Sequence, residues 1–119
     1  MILKKEIIEQ ISKELSLPFT GMEQDWDIEM ADSNRVNDFL EFYIESDLSD
    51  DKKMAVMSLI LASYEDFLND NDLEIDDRWN KIRSILDSEK LIFVDLIDYW
   101  SLRNEVDNIF QITPLMRNI

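Results

Sequence analysis

The chain has 119 residues and a net charge of −15 from 27 acidic and 12 basic side chains, which disfavours binding to nucleic acid or anionic lipid and favours a basic partner. It contains neither Cys nor His, so disulfides, thiol nucleophiles, Ser-His-Asp triads and the usual zinc sites are excluded. One Gly and two Pro stand where average usage gives about eight and six, which is too few for the tight turns of a β-fold, so the composition favours a single all-α domain over residues 1–119.

The N-terminal third contains one clear helical pattern and then an irregular segment. Apolar residues recur every four positions before Pro18, which predicts a helix over residues 2–16. Residues 17–33 hold the only Gly, and part of this segment alternates acidic and apolar side chains. Because no second strand exists for it to pair with, we predict a loop packed by Phe19 and Trp26. The apolar stripe of the first helix consists of Leu3, Ile7, Ile8, Ile11 and Leu15.

The middle of the chain predicts two helices, each with a capping residue. Asp32 or Ser33 is placed to cap a helix over residues 34–46, and Ser49 to cap a helix over residues 50–69. Apolar residues lie nearly all round the second of these helices. We therefore expect it at the centre of the fold, covered on several sides.

The C-terminal third predicts two further helices and two short turns. The helices are expected over residues 75–87 and 89–101, the second of them capped by Ser88. One additional turn is expected over residues 104–111, and a Thr-Pro pair predicts a terminal helical turn over 114–118 with Thr as its N-cap. The sequence as a whole predicts a single compact bundle of about five to six helices.

The cellular location is predicted from two kinds of apolar segment, a secretory signal and a membrane span. The N-terminus has neither the apolar core nor the cleavage site of a secretory signal. The longest mostly apolar run, residues 54–64, is shorter than the roughly 20 residues that span a bilayer. We expect a cytoplasmic protein with no membrane partner.

An acidic segment that begins at Asp70 has part of the spacing of a calcium-binding loop. Position six of such a loop requires Gly, and here it is Ile75; position twelve requires Glu, and here it is Lys81. We therefore predict no metal site. One Gly cannot form a phosphate-binding loop, and among 27 acids a suitably spaced carboxylate pair has no diagnostic value. These features predict a binding protein rather than an enzyme, with no catalytic residue and no cofactor.

Two acidic stretches are candidates for electrostatic docking of a partner. Residues 23–32 carry five acids, residues 65–77 carry seven, and neither stretch contains a base. Such stretches are ordinarily solvated surface, but they also speed association with a basic partner toward about 10⁸–10⁹ M⁻¹s⁻¹. Trp26 is a candidate anchor because Trp is frequent among interface hot spots. Residues 88–119 carry only five acids against three bases, so we expect the acidic face in the first two thirds of the chain. The predicted partner-binding residues are Asp70, Asp72, Glu74, Asp76, Asp77, Glu23, Asp25, Trp26, Asp27 and Glu29.

The second half of the chain resembles small immunity proteins of bacterial toxin systems, including contact-dependent inhibition and polymorphic toxin systems. The segments that carry the resemblance are Ser63–Leu68, Asp77–Ile82 with Ile85 and Leu86, Ile97–Trp100 and Phe110–Arg117. They cover about half of the chain. The resemblance implies an all-α protein that binds a cognate toxin, and many toxins of these systems are basic nucleases.

The charge and the resemblance together predict an immunity protein that neutralises a basic, nuclease-like toxin by occupying its polyanion-binding groove. The alternative is an acidic adaptor or nucleic-acid mimic that occupies a DNA-binding protein. In either case the partner is a protein, and the chain itself binds no nucleic acid.

Overall fold

The fold is built from helices throughout the residues that the computed structural model describes, 3–106 and 109–119. Within these ranges there are seven α-helices, one 3-10 helix and no strand, so the all-α prediction is confirmed. The count exceeds the predicted five to six because residues 26–30 form an additional short helix. The elements are α1 (Lys5–Glu14), α2 (Trp26–Met30), a 3-10 helix (Ser33–Arg35), α3 (Val36–Glu45), α4 (Asp50–Asp70), α5 (Arg78–Ser88), α6 (Val94–Ser101) and α7 (Thr113–Met116).

Helix α1 presents the predicted stripe to the core, with Ile11 fully buried. It ends before Pro18, through a Schellman motif in which the amide of Leu17 donates to the carbonyl of Ser12 over 2.8 Å. Ser16 occupies the left-handed position of this motif, with a φ of 54°, where Gly is the usual residue.

The predicted loop over residues 17–33 is wrong where α2 forms. Trp26 and Met30 are four residues apart and both buried, whereas Ile28 is 51% exposed. An extended chain would place Trp26, Ile28 and Met30 on one face, but only Trp26 and Met30 reach the core. The helical spacing buries the largest side chain of the segment, which the extended alternative could not do without a partner strand.

Helix α4 is the centre of the fold, as predicted. Its first turn is capped by Ser49, whose hydroxyl accepts a 3.3 Å hydrogen bond from the amide of Lys52. Side chains are buried continuously from Ala55 to Glu65 because α1, α2, the 3-10 helix and α3 pack around it. Asp32 caps the 3-10 helix that precedes α3 rather than α3 itself, and its carboxylate accepts from the amide of Asn34. In the described ranges no helix is long and apolar enough to cross a membrane.

The two C-terminal helices begin later than predicted. Helix α5 begins at Arg78 rather than at residue 75, and α6 at Val94 rather than at residue 89. Ser88 does not cap α6, because it is the last residue of α5 and its hydroxyl donates back to the carbonyls of Ser84 and Ile85. The residues between the two helices form turns, which leaves Leu91 93% exposed.

The C-terminal segment is tied to the core by side chains. Helix α7 forms at the predicted place, with Pro in its first turn. The hydroxyl of Thr113 does not cap this helix; it donates to the carbonyl of Trp100 over 2.8 Å and accepts from the amide of Phe110. A turn closes at Leu102–Glu105, where the predicted turn over residues 104–111 begins, but residues 107 and 108 lie outside the described residues.

Candidate functional site

In the longer acidic stretch, residues 65–77, some acids are exposed to solvent and others pack against the core. Asp70, Asp72, Glu74 and Asp77 are exposed and, within the described ranges, pair with no basic side chain. We call residues 70–77 the acidic connector. It joins α4 to α5, and it is a solvated, negatively charged edge rather than a pocket.

Two acids of this stretch are occupied by internal contacts. Asp76 is half-buried and accepts from the hydroxyl of Tyr64 over 2.9 Å, and it forms an ion pair with Arg78. Glu65 is only 9% exposed, and its carboxylate accepts from the backbone amides of Gln111 and Ile112 at 3.0 and 2.9 Å. These two carboxylates hold the fold together and are not available to a partner in this arrangement.

The shorter acidic stretch lies along a concave surface. Residues 19–28 run between the N-terminal end of α1 and α6, and together these three parts of the chain enclose a groove of about 980 Å³. We call it the acidic groove. It is lined by Leu3, Lys5, Ile8, Phe19, Gly21, Glu23, Gln24, Asp25, Trp26, Asp27, Ile28, Asp95, Asp98 and Tyr99.

Two of the predicted docking residues, Glu23 and Glu29, also shape the backbone beside this groove. The carboxylate of Glu23 accepts from the backbone amides of Thr20 and Gly21 and so closes the turn before α2. The carboxylate of Glu29 accepts a 2.9 Å bond from the amide of Asp25 at the N-terminus of α2. Both contacts fix the backbone that carries Asp27.

Trp26 is placed in the core rather than on the surface. Its side chain is 4% exposed, and its indole N–H donates to the hydroxyl of Ser12 over 2.8 Å. The indole therefore ties α2 to α1 and forms part of the groove floor. It does not project toward solvent, as a hot-spot anchor would.

On the side of the groove formed by residues 19–28, the unpaired charge lies on Asp25 and Asp27. Burial, reinforced by the neighbouring Asp25 charge, raises the pKa of the Asp27 carboxyl, although backbone N–H groups of α2 act in the opposite direction. No basic side chain of the described residues pairs with Asp25 or Asp27. Lys5 is the only base among the described lining residues, and it too forms no ion pair with a described residue. The groove thus holds negative charge that the chain itself does not neutralise.

Helix α6 supplies the opposite wall, which sequence reasoning missed. Asp95, Asp98 and Tyr99 lie on one helix face because their spacing is three and four residues. The Oδ1 atom of Asp98 lies 3.8 Å from the Nε atom of Arg103, whereas Asp95 has no basic partner in the described part of the chain. Tyr99 is 44% exposed and stacks on Phe110 with ring centroids 6.2 Å apart. The spacing of these three residues on one helix face was the signal in the sequence for this wall. Residues 88–119 carry little net charge, so they were not predicted to contribute to the acidic surface.

The arrangement suits the binding of a cationic group. Across the residues that are described, no group of three or more acidic side chains could hold a metal ion. Burial first, and then the charges of Asp27 and Asp25, raise the pKa of the Tyr99 hydroxyl, so this phenol stays neutral near pH 7. Its exposed ring and the adjacent carboxylates together form a surface that attracts positive charge.

Comparison of the chain with known protein families, with curated proteins and with solved structures finds no match in any of the three.

Proposed function

We propose that this protein is an immunity protein that neutralises a basic bacterial toxin by tight, non-covalent binding through the acidic groove. The observation that carries the proposal is a concave, partly apolar surface with unneutralised carboxylates at Asp25, Asp27 and Asp95. A nuclease must present a basic surface to its polyanionic substrate, and an acidic protein seated on that surface blocks it sterically and electrostatically. The resemblance of the second half of the chain to immunity proteins supports the same proposal.

The groove is formed by α1, α6, α2 and the segment before α2. Hydrogen bonds to Glu23 close the turn in that segment, and α2 packs directly on the enclosed helix α4. A preformed acidic surface loses little conformational entropy when it binds, which favours tight association. The proposed function needs no catalytic residue, metal or cofactor.

The test is capture of the toxin, followed by measurement of the association rate. The purified chain is incubated with the product of the adjacent gene, and the association rate is followed across a salt series. The groove variant D25N/D27N/D95N/D98N removes four charges while keeping the shape of each side chain. The matched control E9Q/E41Q/E45Q/D47N removes four exposed charges that do not line the groove.

We expect the groove variant to lower the association rate at least about tenfold at low salt, because electrostatic steering accelerates association by roughly 10–10³-fold. The control variant should change it much less. Equal losses in both variants would show that only net charge matters, and the groove would then be rejected as the docking surface. A third variant, D70N/D72N/E74Q/D77N, removes four charges from the acidic connector. If this variant alone lowered the association rate, the connector rather than the groove would be the docking surface.

The acidic-adaptor alternative differs in the identity of the partner. It predicts capture of a DNA-binding protein that is released by DNA and has no toxic activity of its own. Turnover of a substrate by the isolated chain would contradict both proposals.

A further inference from the structure

The acidic groove combines an exposed aromatic ring with carboxylates that form no ion pair with a described basic side chain. Tyr99 presents its ring at one wall, and Asp25 and Asp27 lie on the other. All three residues line the same cavity of about 980 Å³. Aromatic faces and carboxylates attract the same class of ligand, namely a planar or compact cation.

The chain itself builds this combination twice, and in both cases an arginine completes it. The guanidinium carbon of Arg78 lies 4.2 Å from the ring centroid of Phe67, and the same side chain is paired with Asp76. The guanidinium carbon of Arg35 lies 4.9 Å from the ring centroid of Phe39 and its Nε lies 3.4 Å from Asp38. In the groove the ring and the carboxylates are present, and no arginine of the described residues stacks on the ring.

We propose that the acidic groove receives an arginine side chain of the partner, with its guanidinium stacked on Tyr99 and paired with Asp25 and Asp27. This inference rests on the proposed function, because it names the residue type by which a basic toxin would enter the groove. The 980 Å³ volume is ample for one such side chain. Leu3, Ile8 and the half-exposed Ile28 line the same surface and cover the methylene stem of the arginine.

Arginine fits this groove better than lysine. A guanidinium is planar, stacks on aromatic rings, and bonds two carboxylate oxygens at once, whereas an ammonium is a compact and strongly hydrated point charge. The stacking surface is therefore useful to arginine in a way that it is not to lysine. The groove is predicted to discriminate between two peptides of equal charge.

The experiment compares two blocked synthetic peptides that differ only in having two arginines or two lysines. Binding to the full chain is measured at low ionic strength by titration calorimetry, and the site is mapped by backbone amide chemical shifts. Y99L removes the ring and Y99F retains it. D25N/D27N removes the carboxylates, and E41Q/E45Q removes two charges from α3, outside the groove.

We expect the arginine peptide to bind about fivefold more tightly than the lysine peptide, with shifts at residues 25–28 and 95–99. Y99L should abolish this preference and Y99F should keep it, while D25N/D27N should weaken both peptides and E41Q/E45Q neither. If Y99L fails to fold, the preference of the unmodified chain for the arginine peptide and the position of its amide shifts decide the question in its place. Equal affinity for the two peptides, or shifts that map outside the groove, would overturn the inference.

Failure of the proposed function has a different outcome. A chain that binds the arginine peptide in the groove but neutralises no toxin would refute the immunity proposal and leave the arginine site standing. A chain that neutralises a toxin equally well with and without the Tyr99 ring would refute the arginine site alone.

Discussion

Removal of the buried carboxylate of Glu65 is predicted to loosen the whole C-terminal segment. The Glu65 side chain projects from the enclosed helix α4. Its carboxylate accepts hydrogen bonds from the backbone amides of Gln111 and Ile112, and from the side-chain amide of Asn69 at 2.9 Å. Just before these residues in the chain, Phe110 packs against Trp100 with ring centroids 4.6 Å apart. One carboxylate therefore fixes the segment that supports the groove wall on α6.

The magnitude follows from what Glu65→Ala leaves behind. The amide of Ile112 is buried and would lose its partner, which costs about 1–3 kcal/mol. The amide of Gln111 is only partly buried, so water can replace the carboxylate at a cost of about 1 kcal/mol. Relief from burying a charge offsets the cavity that the truncation creates. The free energy of unfolding should fall by about 3 kcal/mol, which for this chain length lowers Tm by roughly 10 °C.

The assay is urea denaturation followed by the far-ultraviolet helical signal, with amide hydrogen exchange as a local readout. Glu65→Gln keeps one acceptor oxygen and should show about half the loss of Glu65→Ala. Glu41→Ala truncates an exposed glutamate on α3 and should change the free energy of unfolding by less than about 0.5 kcal/mol. Exchange at the amide of Ile112 should accelerate in both Glu65 variants and not in the control.

A Glu65→Ala variant as stable as the Glu41→Ala control would refute this reasoning. So would a loss of stability with unchanged protection at Ile112, since the destabilisation would then arise elsewhere than in the two bonds to the C-terminal segment.

Three further predictions concern capping and charge. Ser16→Gly should raise the free energy of unfolding by about 0.5–1 kcal/mol, because Gly adopts the left-handed φ of 54° without steric cost, and a lower Tm would contradict this. Asp27→Asn should stabilise the protein at pH 7: the raised folded-state pKa means that the native carboxyl loses stability as the pH rises above its ordinary value of 3.8, so the gain should vanish below that pH. A gain in Tm that is the same at pH 7 and below pH 3.8 would refute the assignment of charge as the cause. Burial alone would raise the pKa of Glu89, but hydrogen bonds from Lys53 and Tyr43 outweigh it, and the pKa is lowered. The ionised Glu89 carboxylate therefore contributes stability above pH 4.5 that is lost in acid. Tyr43→Phe should accordingly cost about 1–2 kcal/mol in chemical denaturation at pH 7 and less below pH 4.5, and a loss independent of pH would point to packing instead.

The helical class and the central helix were predictable because they follow from local pattern. Few Gly and Pro exclude a turn-rich fold, and the apolar circumference of α4 requires cover on every side. The cap at Ser49 follows from side-chain chemistry at the helix start and forms as predicted, whereas Asp32 caps the 3-10 helix that precedes α3.

The helix ends and α2 could not be predicted in the same way. The Schellman turns place Ser16 and Asp72 at left-handed φ, and neither position carries the Gly that usually signals such a turn in a sequence. Helix α2 is too short for its periodicity to be distinguished from strand alternation, and the burial of Trp26 against Ser12 decides in its favour.

The acidic groove lay beyond local pattern for a similar reason. Asp25 and Tyr99 are far apart in sequence and meet only because α1, α2 and α6 come together around one opening. The sequence identified the carboxylates of one wall, and only the tertiary structure supplies the other. The acids that proved to be internal, Glu65 and Asp76, cannot be told from exposed acids by composition, because their hydrogen-bond partners depend on tertiary packing.

The enclosure of α4 determines how this protein can be dissected. Deletion of α1 or of the C-terminal segment would strip cover from a helix that is apolar around its circumference, and exposed apolar surface of that size drives aggregation. The groove draws its walls from α1 and α6, so no shorter fragment retains both the walls and the helix on which the fold is built. Minimal binding peptides cut from this chain should therefore fail, and engineering of its specificity has to proceed by substitution within the intact fold.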